Sequence, residues 1–230
     1  MNGHYSIAID GPSGAGKSSL ARACAKAFGF LYVDTGAIYR TVGLAAFRRE
    51  LDRRDEAAVA AMLPELDIRM AYNEEGEQRM YLNGEDVSAA IRLPEISICA
   101  SDVSALPAVR AYLLEMQRKM ARENNVIMDG RDIGTVVLPD AELKIFLTAS
   151  AEARAERRMK ELVAKGVDAD FEEVLRDIKY RDEQDSNRAA APLKPAEDSV
   201  LVDTTEIDFA ASEALLKSII RKKLGVEEIA

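Results

Sequence analysis

The chain has few of the residues on which much enzyme chemistry depends. Its 230 residues include two cysteines, one histidine and no tryptophan. The histidine, His4, lies close to the start of the chain, which argues against histidine-based catalysis. Cys24 and Cys99 lack the spacing of metal ligands, so we expect no zinc site and a reducing compartment.

Positive charge and long apolar runs are also scarce. Lysine and arginine number 31 against 40 acidic residues, a net charge of −9, whereas a general nucleic-acid binder is usually basic. No apolar stretch is long enough to span a bilayer, and Asp10 interrupts any signal-like run after Met1. We therefore expect a cytoplasmic protein that has neither a nucleic-acid nor a membrane partner.

A glycine-rich segment is the strongest motif in the chain. Residues 11–18 read GPSGAGKS and fit the pattern G-x-x-x-x-G-K-[ST]. A strand-like run over 5–10 precedes it, and a helical pattern over 19–28 follows it. The loop amides would then face phosphate oxygens, with Lys17 reaching the β- and γ-phosphates and Ser18 offering its hydroxyl to Mg²⁺. The alternative is a glycine-rich turn before an ordinary helix. The candidate nucleotide-binding residues are Gly11, Pro12, Ser13, Gly14, Ala15, Gly16, Lys17, Ser18 and Ser19.

Strands and helices alternate along most of the chain, which predicts an α/β fold. Further strands are predicted at 30–33, 125–128, 143–147 and 200–202, and helices at 37–51, 57–63, 93–101, 107–123, 150–164, from 170 onward and up to 224. Gly29 is the predicted stop of the first helix, and Asp170 is the predicted cap of the helix that follows it. Two segments, 67–72 and 78–82, alternate instead with a period of two and are separated by turn residues, and Asn83-Gly84 is a second turn signal after them. From Ala57 we therefore predict an inserted antiparallel subdomain of roughly 40 residues.

Arginines without evident partners are candidates for binding phosphate, because phosphoryl transfer needs positioning and positive charge. Arg154, Arg157 and Arg158 are spaced to share one helix face, which favours a lid that closes on an anion. The alternative is a solvated basic face that Glu156 and Glu161 partly balance.

Polar residues that follow predicted strands are candidates for lining a ligand cleft. Arg131 and Asp132 follow the strand at 125–128, and Arg40 follows the segment 34–36 by about one helical turn, although Arg40 could also be a plain surface arginine. Arg181, Asp185 and Arg188 could line one side of a helix and its exit. The alternative for that set is an i,i+4 ion pair between Arg181 and Asp185.

Five segments together resemble the bacterial-type cytidylate kinases. They are GPSGAGK at 11–17, DTGAIYR at 34–40, GEDVS at 84–88, DGRDIGTVV at 129–137, and RDEQDSNR at 181–188 followed by APL at 191–193. The resemblance runs from about residue 5 to the last helix. It implies phosphorylation of CMP and dCMP by ATP with Mg²⁺, within pyrimidine nucleotide metabolism.

The resemblance also implies an architecture. It consists of a P-loop NTPase-type five-stranded parallel sheet flanked by helices, an inserted small antiparallel NMP-binding subdomain and a helical lid. The corresponding boundaries are 1–36, 103–148 and 171–230 for the P-loop core, 37–102 for the NMP-binding insert with its connecting helices, and 149–170 for the lid. We expect a monomer.

The resemblance assigns roles to individual residues. The catalytic set comprises Lys17, Arg131, Arg154, Arg157 and Arg158, with Ser18 as the metal ligand. Arg40 and Arg131 correspond to residues that hold the CMP phosphate, and Ser101, Arg110 and Asp132 to residues that read the cytosine. Arg181 and Asp185 correspond to ribose contacts, Arg188 to another acceptor-site arginine, and Thr35 keeps a hydroxyl where many members have serine. A carboxylate and a guanidinium suit the amino donor and ring acceptors of cytosine.

Other functions fit parts of this pattern. A kinase for UMP or another small acceptor would use the same donor loop. An ATP-binding regulatory switch would bind nucleotide without transferring phosphate, and a scaffold with a vestigial loop would do neither. None of the kinase alternatives needs a general base, because the acceptor phosphate is already an anion, which agrees with the lack of a catalytic histidine.

Overall fold

The computed structural model describes residues 4–164 and 166–229. These residues form two compact units. The first unit combines the segment up to Tyr32 with the segment from Ala121 onward, and the second consists of Val33–Met120. The second unit is thus inserted within the first along the chain. The boundaries of core, insert and lid given above stay a prediction.

A five-stranded parallel sheet is the centre of the fold, as predicted. Its strands are β1 (Ser6–Asp10), β2 (Leu31–Asp34), β6 (Val126–Gly130), β7 (Leu143–Thr148) and β8 (Val200–Asp203), in the order β2-β6-β1-β7-β8. A second sheet has the order β3-β4-β5 and contains β3 (Ile68–Tyr72), β4 (Gln78–Leu82) and β5 (Glu85–Asp86). Because β1 lies between β6 and β7 in parallel register, the loops that follow these three strands leave the same edge of the sheet.

Eight α-helices connect the strands in the described part of the chain. They are α1 (Lys17–Phe28), α2 (Thr35–Arg48), α3 (Glu56–Met62), α4 (Pro94–Ser104), α5 (Pro107–Glu123), α6 (Ala151–Ala164), α7 (Phe171–Asn187) and α8 (Phe209–Leu224). Several predicted boundaries are confirmed: Gly29 ends α1 with φ of 66°, and Asp170 caps α7 by accepting from the Glu173 amide at 2.9 Å. No helix in the described residues is long and apolar enough to cross a membrane.

Two helices begin two residues earlier than the sequence predicts. Helix α1 begins at Lys17 instead of 19, directly after the glycine-rich loop. Helix α2 begins at Thr35 instead of 37, because the Asp34 carboxylate accepts from the Ala37 amide at 2.8 Å and so caps the helix. Consequently the polar segment 34–36 is the strand end and first helical turn, with no separate loop.

The core of the first unit packs α1 and α8 against the parallel sheet. Ile7, Ile9, Leu20 and Ile145 are among its fully buried side chains. Gly11, directly after β1, lies very close to the backbone of β7. A Cβ atom at Gly11 would lie 1.9 Å from the Leu147 carbonyl oxygen. A larger residue cannot occupy this position without moving backbone, so the start of the glycine-rich loop is fixed by core packing.

The second unit is built from a helix pair and the antiparallel sheet. Helices α2 and α4 pack closely at Gly43, where a Cβ atom would lie 2.8 Å from the Ala100 backbone nitrogen. The predicted turn between β4 and β5 is confirmed: Asn83 and Gly84 both have positive φ, 51° and 85°. Successive positive φ values are typical of a type I′ hairpin turn.

Helices α6 and α7 pack against each other through a small apolar cluster in the first unit. Ala155, Leu175 and Ile178 are buried there. The two helices carry four of the eight arginines that the sequence analysis selected, namely Arg154, Arg157, Arg158 and Arg181.

Candidate active site

The glycine-rich loop follows β1 and opens α1, as the motif requires. Gly14 and Gly16 have φ of 77° and 89°, a conformation that side chains other than glycine rarely adopt. Lys17 is buried, and its Nζ donates to the Pro12 carbonyl at 2.7 Å. Burial, with the nearby Arg131 charge, lowers the pKa of Lys17 to about 7. An anion bound at the start of α1 would stabilise the charged form of Lys17 against both burial and the Arg131 charge. The loop therefore fits a phosphate chain.

The Ser18 hydroxyl belongs to a network centred on Asp129, the next-to-last residue of β6. Ser18 Oγ donates to one carboxylate oxygen of Asp129 at 2.8 Å, and the Tyr32 hydroxyl donates to the other at 2.8 Å. Hydroxyl and carboxylate oxygens are the ligands that Mg²⁺ prefers. The sequence analysis selected Ser18 but missed Asp129, although an acidic residue at the end of a strand beside the loop was a usable signal.

Two ion pairs join the segment after β6 to α7 and its exit. Arg131 Nε donates to Asp185 at 2.6 Å, and Arg188 Nη2 donates to Asp132 at 3.3 Å. The structure therefore brings together four of the residues selected from sequence. Arg181 is exposed on α7, and the partner that the structure gives to Asp185 is Arg131.

A buried carboxylate that the sequence analysis missed holds the same segment. Both oxygens of Asp10 accept backbone amides, from Ile133 and Gly134, each at 2.7 Å. These amides begin the single π-helical turn Ile133–Val137, directly after Asp132. Burial raises the pKa of Asp10 to about 6, against the lowering effect of its hydrogen bonds. The end of β1 thus positions the segment that carries Asp132.

The interpretation of Arg154 as an arginine without a partner is wrong. Its side chain is only 4% exposed and pairs with Asp182 through two hydrogen bonds, of 2.9 and 2.5 Å. It also donates to the carbonyl oxygens of Ser13 and Ala149, each at 2.9 Å. Arg154 therefore connects the glycine-rich loop to α6 and α7.

The three arginines of α6 also have different surroundings. Arg157 donates to both the hydroxyl and the carbonyl oxygen of Thr204, after β8. Arg158 is about half exposed and pairs with Glu161 at 3.0 Å. For this arginine the structure agrees with the alternative of a solvated basic face that Glu161 partly balances. Spacings of three and four bring their Cα atoms to one side of the helix, but the long side chains diverge.

The second unit carries an arginine held at the start of α2. Arg40 Nη2 donates to the Asp34 carboxylate at 2.9 Å, and the Arg40 side chain is 22% exposed, so Arg40 is not a plain surface arginine. A Cβ atom at Gly36 would lie 3.2 Å from Arg40 Nη1, so the guanidinium lies close over the glycine. The Arg40 Nε is buried without a hydrogen-bond partner among the described residues. Such a donor fits an anionic ligand.

The remaining residues selected for the acceptor nucleotide lie on three helices. Arg110, on α5, donates to the Ser104 carbonyl at 3.1 Å and lies over the Tyr39 ring at 5.6 Å. Ser101 is exposed on α4, and Thr35 is buried at the start of α2. The proposed acceptor residues thus divide between the units. Thr35, Arg40, Ser101 and Arg110 belong to the second, and Arg131, Asp132, Arg181, Asp185 and Arg188 to the first.

Sequence comparisons with known proteins cover nearly the whole chain. The family model described as cytidylate kinase matches residues 7–222. A cytidylate kinase of Carboxydothermus hydrogenoformans is 51% identical over 220 residues, covering 96% of this chain and 99% of that protein. A cytidylate kinase of Pasteurella multocida is 45% identical over 227 residues, covering 99% of this chain and 100% of that protein. A crystal structure of shikimate kinase from Bacteroides thetaiotaomicron aligns over 94% of this chain and 98% of its own, with 13% identity and a TM-score of 0.47.

Proposed function

The chain belongs to the cytidylate kinase family, and from that premise we propose that it transfers the γ-phosphoryl group of ATP to CMP and dCMP. The products are CDP or dCDP and ADP. The observation that carries the proposal is the pairing of a phosphate loop with arginines held beside carboxylates after β6 and at the start of α2. The phosphate loop suits a nucleoside triphosphate. The arginines suit another ligand that also carries a phosphate.

The donor nucleotide is held by the loop from Gly11 to Ser19. The loop amides and the start of α1 bind its phosphates, and Lys17 contributes a full positive charge once an anion raises its pKa. Ser18 and Asp129 would hold Mg²⁺, which would supply positive charge against the phosphates of the donor nucleotide.

The acceptor nucleotide has its own set of binding residues in this proposal. We assign its phosphate to Arg40 and Arg131, its cytosine to Ser101, Arg110 and Asp132, and its ribose to Arg181 and Asp185. Arg188 supports Asp132 through their ion pair, and Thr35 offers a hydroxyl. The Asp132 carboxylate accepts from the amino group that distinguishes cytosine from uracil, which favours CMP over UMP.

The arginines of α6 complete the catalytic set in this proposal. Arg157 and Arg158 neutralise charge on the transferring phosphoryl group, in the way that cationic side chains stabilise such transition states. Arg154 can do so directly only if a phosphate replaces Asp182 as its partner. In its present contacts it orients the loop through the Ser13 carbonyl.

A coupled assay of the purified protein with ATP, Mg²⁺ and each of CMP, dCMP, UMP and AMP tests the proposal. We expect turnover with CMP and dCMP and much slower turnover with UMP and AMP. Lys17→Ala should lower kcat by about 100-fold or more. Lys26→Ala, at an exposed position near the end of α1, is the matched control. Turnover with AMP alone would refute the base assignment, and ATP binding without any transfer would instead indicate a regulatory switch.

The proposal includes the cellular compartment and the oligomeric state of the enzyme. Both cysteines are buried free thiols, which suits a reducing compartment such as the cytoplasm. We propose a monomer that acts on free nucleotides, and sedimentation velocity on the purified protein measures its mass directly.

A further inference from the structure

Gln78, the first residue of the central strand of the three-stranded sheet, makes an unusual side-chain contact. Its side-chain Oε1 accepts from the Asp34 backbone amide at 2.8 Å, and its Nε2 donates to the Asp34 carbonyl oxygen at 3.2 Å. Both contacts lie within the second unit, although 44 residues separate the two positions along the chain. One side chain therefore binds both polar groups of one residue's main chain.

This double contact restrains the backbone of Asp34. The amide nitrogen and the carbonyl oxygen of a residue belong to the two peptide planes on either side of its Cα atom. A group that binds both planes opposes rotation about φ and ψ, which are −80° and 95° at Asp34. Gln78 itself is anchored, because β4 pairs it with Tyr72 of β3.

The carboxylate of Asp34 in turn orients Arg40. One carboxylate oxygen caps α2 at the Ala37 amide, and the other accepts from Arg40 Nη2 at 2.9 Å. The Arg40 guanidinium lies over Gly36, and its Nε is buried without a partner in the described residues. A change in the backbone angles at Asp34 would thus redirect the one arginine of this unit that the proposed function assigns to the acceptor phosphate.

We propose that Gln78 is a positioning residue for the acceptor phosphate, acting through the main chain of Asp34 and the guanidinium of Arg40. The inference rests on the proposed function, because it takes Arg40 to bind CMP. The amide side chain supplies both the acceptor and the donor that these two contacts need. Glutamate has no donor and would place a second negative charge beside Asp34, and leucine offers neither group.

Steady-state kinetics of Gln78→Leu, with CMP and ATP varied separately, test the inference. We expect the KM for CMP to rise about fivefold to twentyfold, the effect of losing one or two hydrogen bonds, with the KM for ATP changed less than about twofold. Arg79→Leu is the matched control, since the adjacent residue of β4 points to the other face of the sheet and pairs with Glu77. It should leave both constants unchanged.

A double-mutant comparison separates positioning from general stabilisation of the unit. In an Arg40→Ala background, Gln78→Leu should produce no further rise in the KM for CMP, because its route of action is already removed. An equal rise in that background, an equal effect on ATP, or no effect at all would overturn the inference. If Gln78→Leu folds poorly by circular dichroism, Gln78→Glu serves as the second variant, with the same expected direction and the same refuting outcomes.

These assays distinguish failure of the Gln78 positioning role from failure of the proposed kinase activity. Unmodified protein that phosphorylates CMP and is insensitive to Gln78→Leu refutes the positioning role alone. Unmodified protein that binds ATP and does not phosphorylate CMP refutes the proposed function and this inference with it.

Discussion

Replacing Asp182 with alanine should lower the free energy of unfolding by about 2–3 kcal/mol. The variant removes the partner of Arg154, whose side chain is 4% exposed, and leaves the guanidinium where it is. Of the four hydrogen bonds that the guanidinium makes, only those to the Ser13 and Ala149 carbonyl oxygens survive. The charge then stays buried and uncompensated.

The magnitude follows from the unequal burial of the two partners. Removing one member of a fully buried ion pair typically costs about 3–5 kcal/mol. Here the Asp182 side chain is 27% exposed, so water screens the pair on one side and reduces the loss. Replacing both partners, as Arg154→Met with Asp182→Leu, should cost less than Asp182→Ala alone, because no unpaired charge remains.

Urea unfolding followed by far-ultraviolet circular dichroism measures this loss. With a slope of about 2.5 kcal/mol/M for a chain of this size, the midpoint should fall by about 1 M. Asp177→Ala, an exposed acidic residue on the same helix, is the control and should shift it by less than about 0.2 M. A midpoint for Asp182→Ala equal to that of Asp177→Ala would show that the ion pair contributes nothing, and the argument from burial would be refuted.

Three further outcomes follow from the packing and the buried groups. Gly43→Ala should destabilise the protein by about 1–3 kcal/mol in urea unfolding, because its Cβ would lie 2.8 Å from the Ala100 nitrogen, and a stability equal to the unmodified protein's would contradict this contact. Burial raises the pKa of the Cys24 thiol to about 12, so Ellman's reagent at pH 8 should label it only after unfolding; rapid labelling of the native protein would contradict its burial. Burial raises the pKa of Asp10 from 3.8 to about 6, so the folded state binds this proton more tightly than the unfolded state does. The contribution of Asp10 to stability should therefore fall by about 3 kcal/mol as the pH rises from about 4 to above 6, and the decline should be absent in Asp10→Asn.

Features that depend on neighbouring residues in the chain could be predicted from the sequence. The glycine-rich loop, the cap at Asp170 and the stop at Gly29 are encoded within a few residues of where they act, so their chemistry is visible locally. The turn at Asn83 and Gly84 follows from the same kind of signal. These predictions are confirmed, with shifts of a few residues at helix ends.

Contacts between distant elements could not be predicted in this way. Arg154 had no acidic neighbour one turn before it, but its partner Asp182 lies 28 residues later, on another helix. Asp10 meets the amides of Ile133 and Gly134 only because the sheet places β1 beside β6. The hydrogen bonds between Gln78 and the Asp34 main chain likewise depend on where the inserted sheet packs in the fold. Strand order and helix packing determine which distant residues meet. The hydrophobic periodicity of the sequence predicts single helices and strands, but not the contacts between them.

The position of the second unit within the chain has a consequence for the order of folding. Ser6 of β1 pairs with Val126 of β6, 120 residues later, and the intervening chain includes all of Val33–Met120. At about 5–20 residues per second of synthesis, β1 leaves the ribosome about 6–24 s before its neighbour exists. The inserted unit is complete before that time and has its own local contacts. During translation the nested segment can therefore fold first, while the glycine-rich loop acquires its final setting only when β6 and β7 close the sheet around β1.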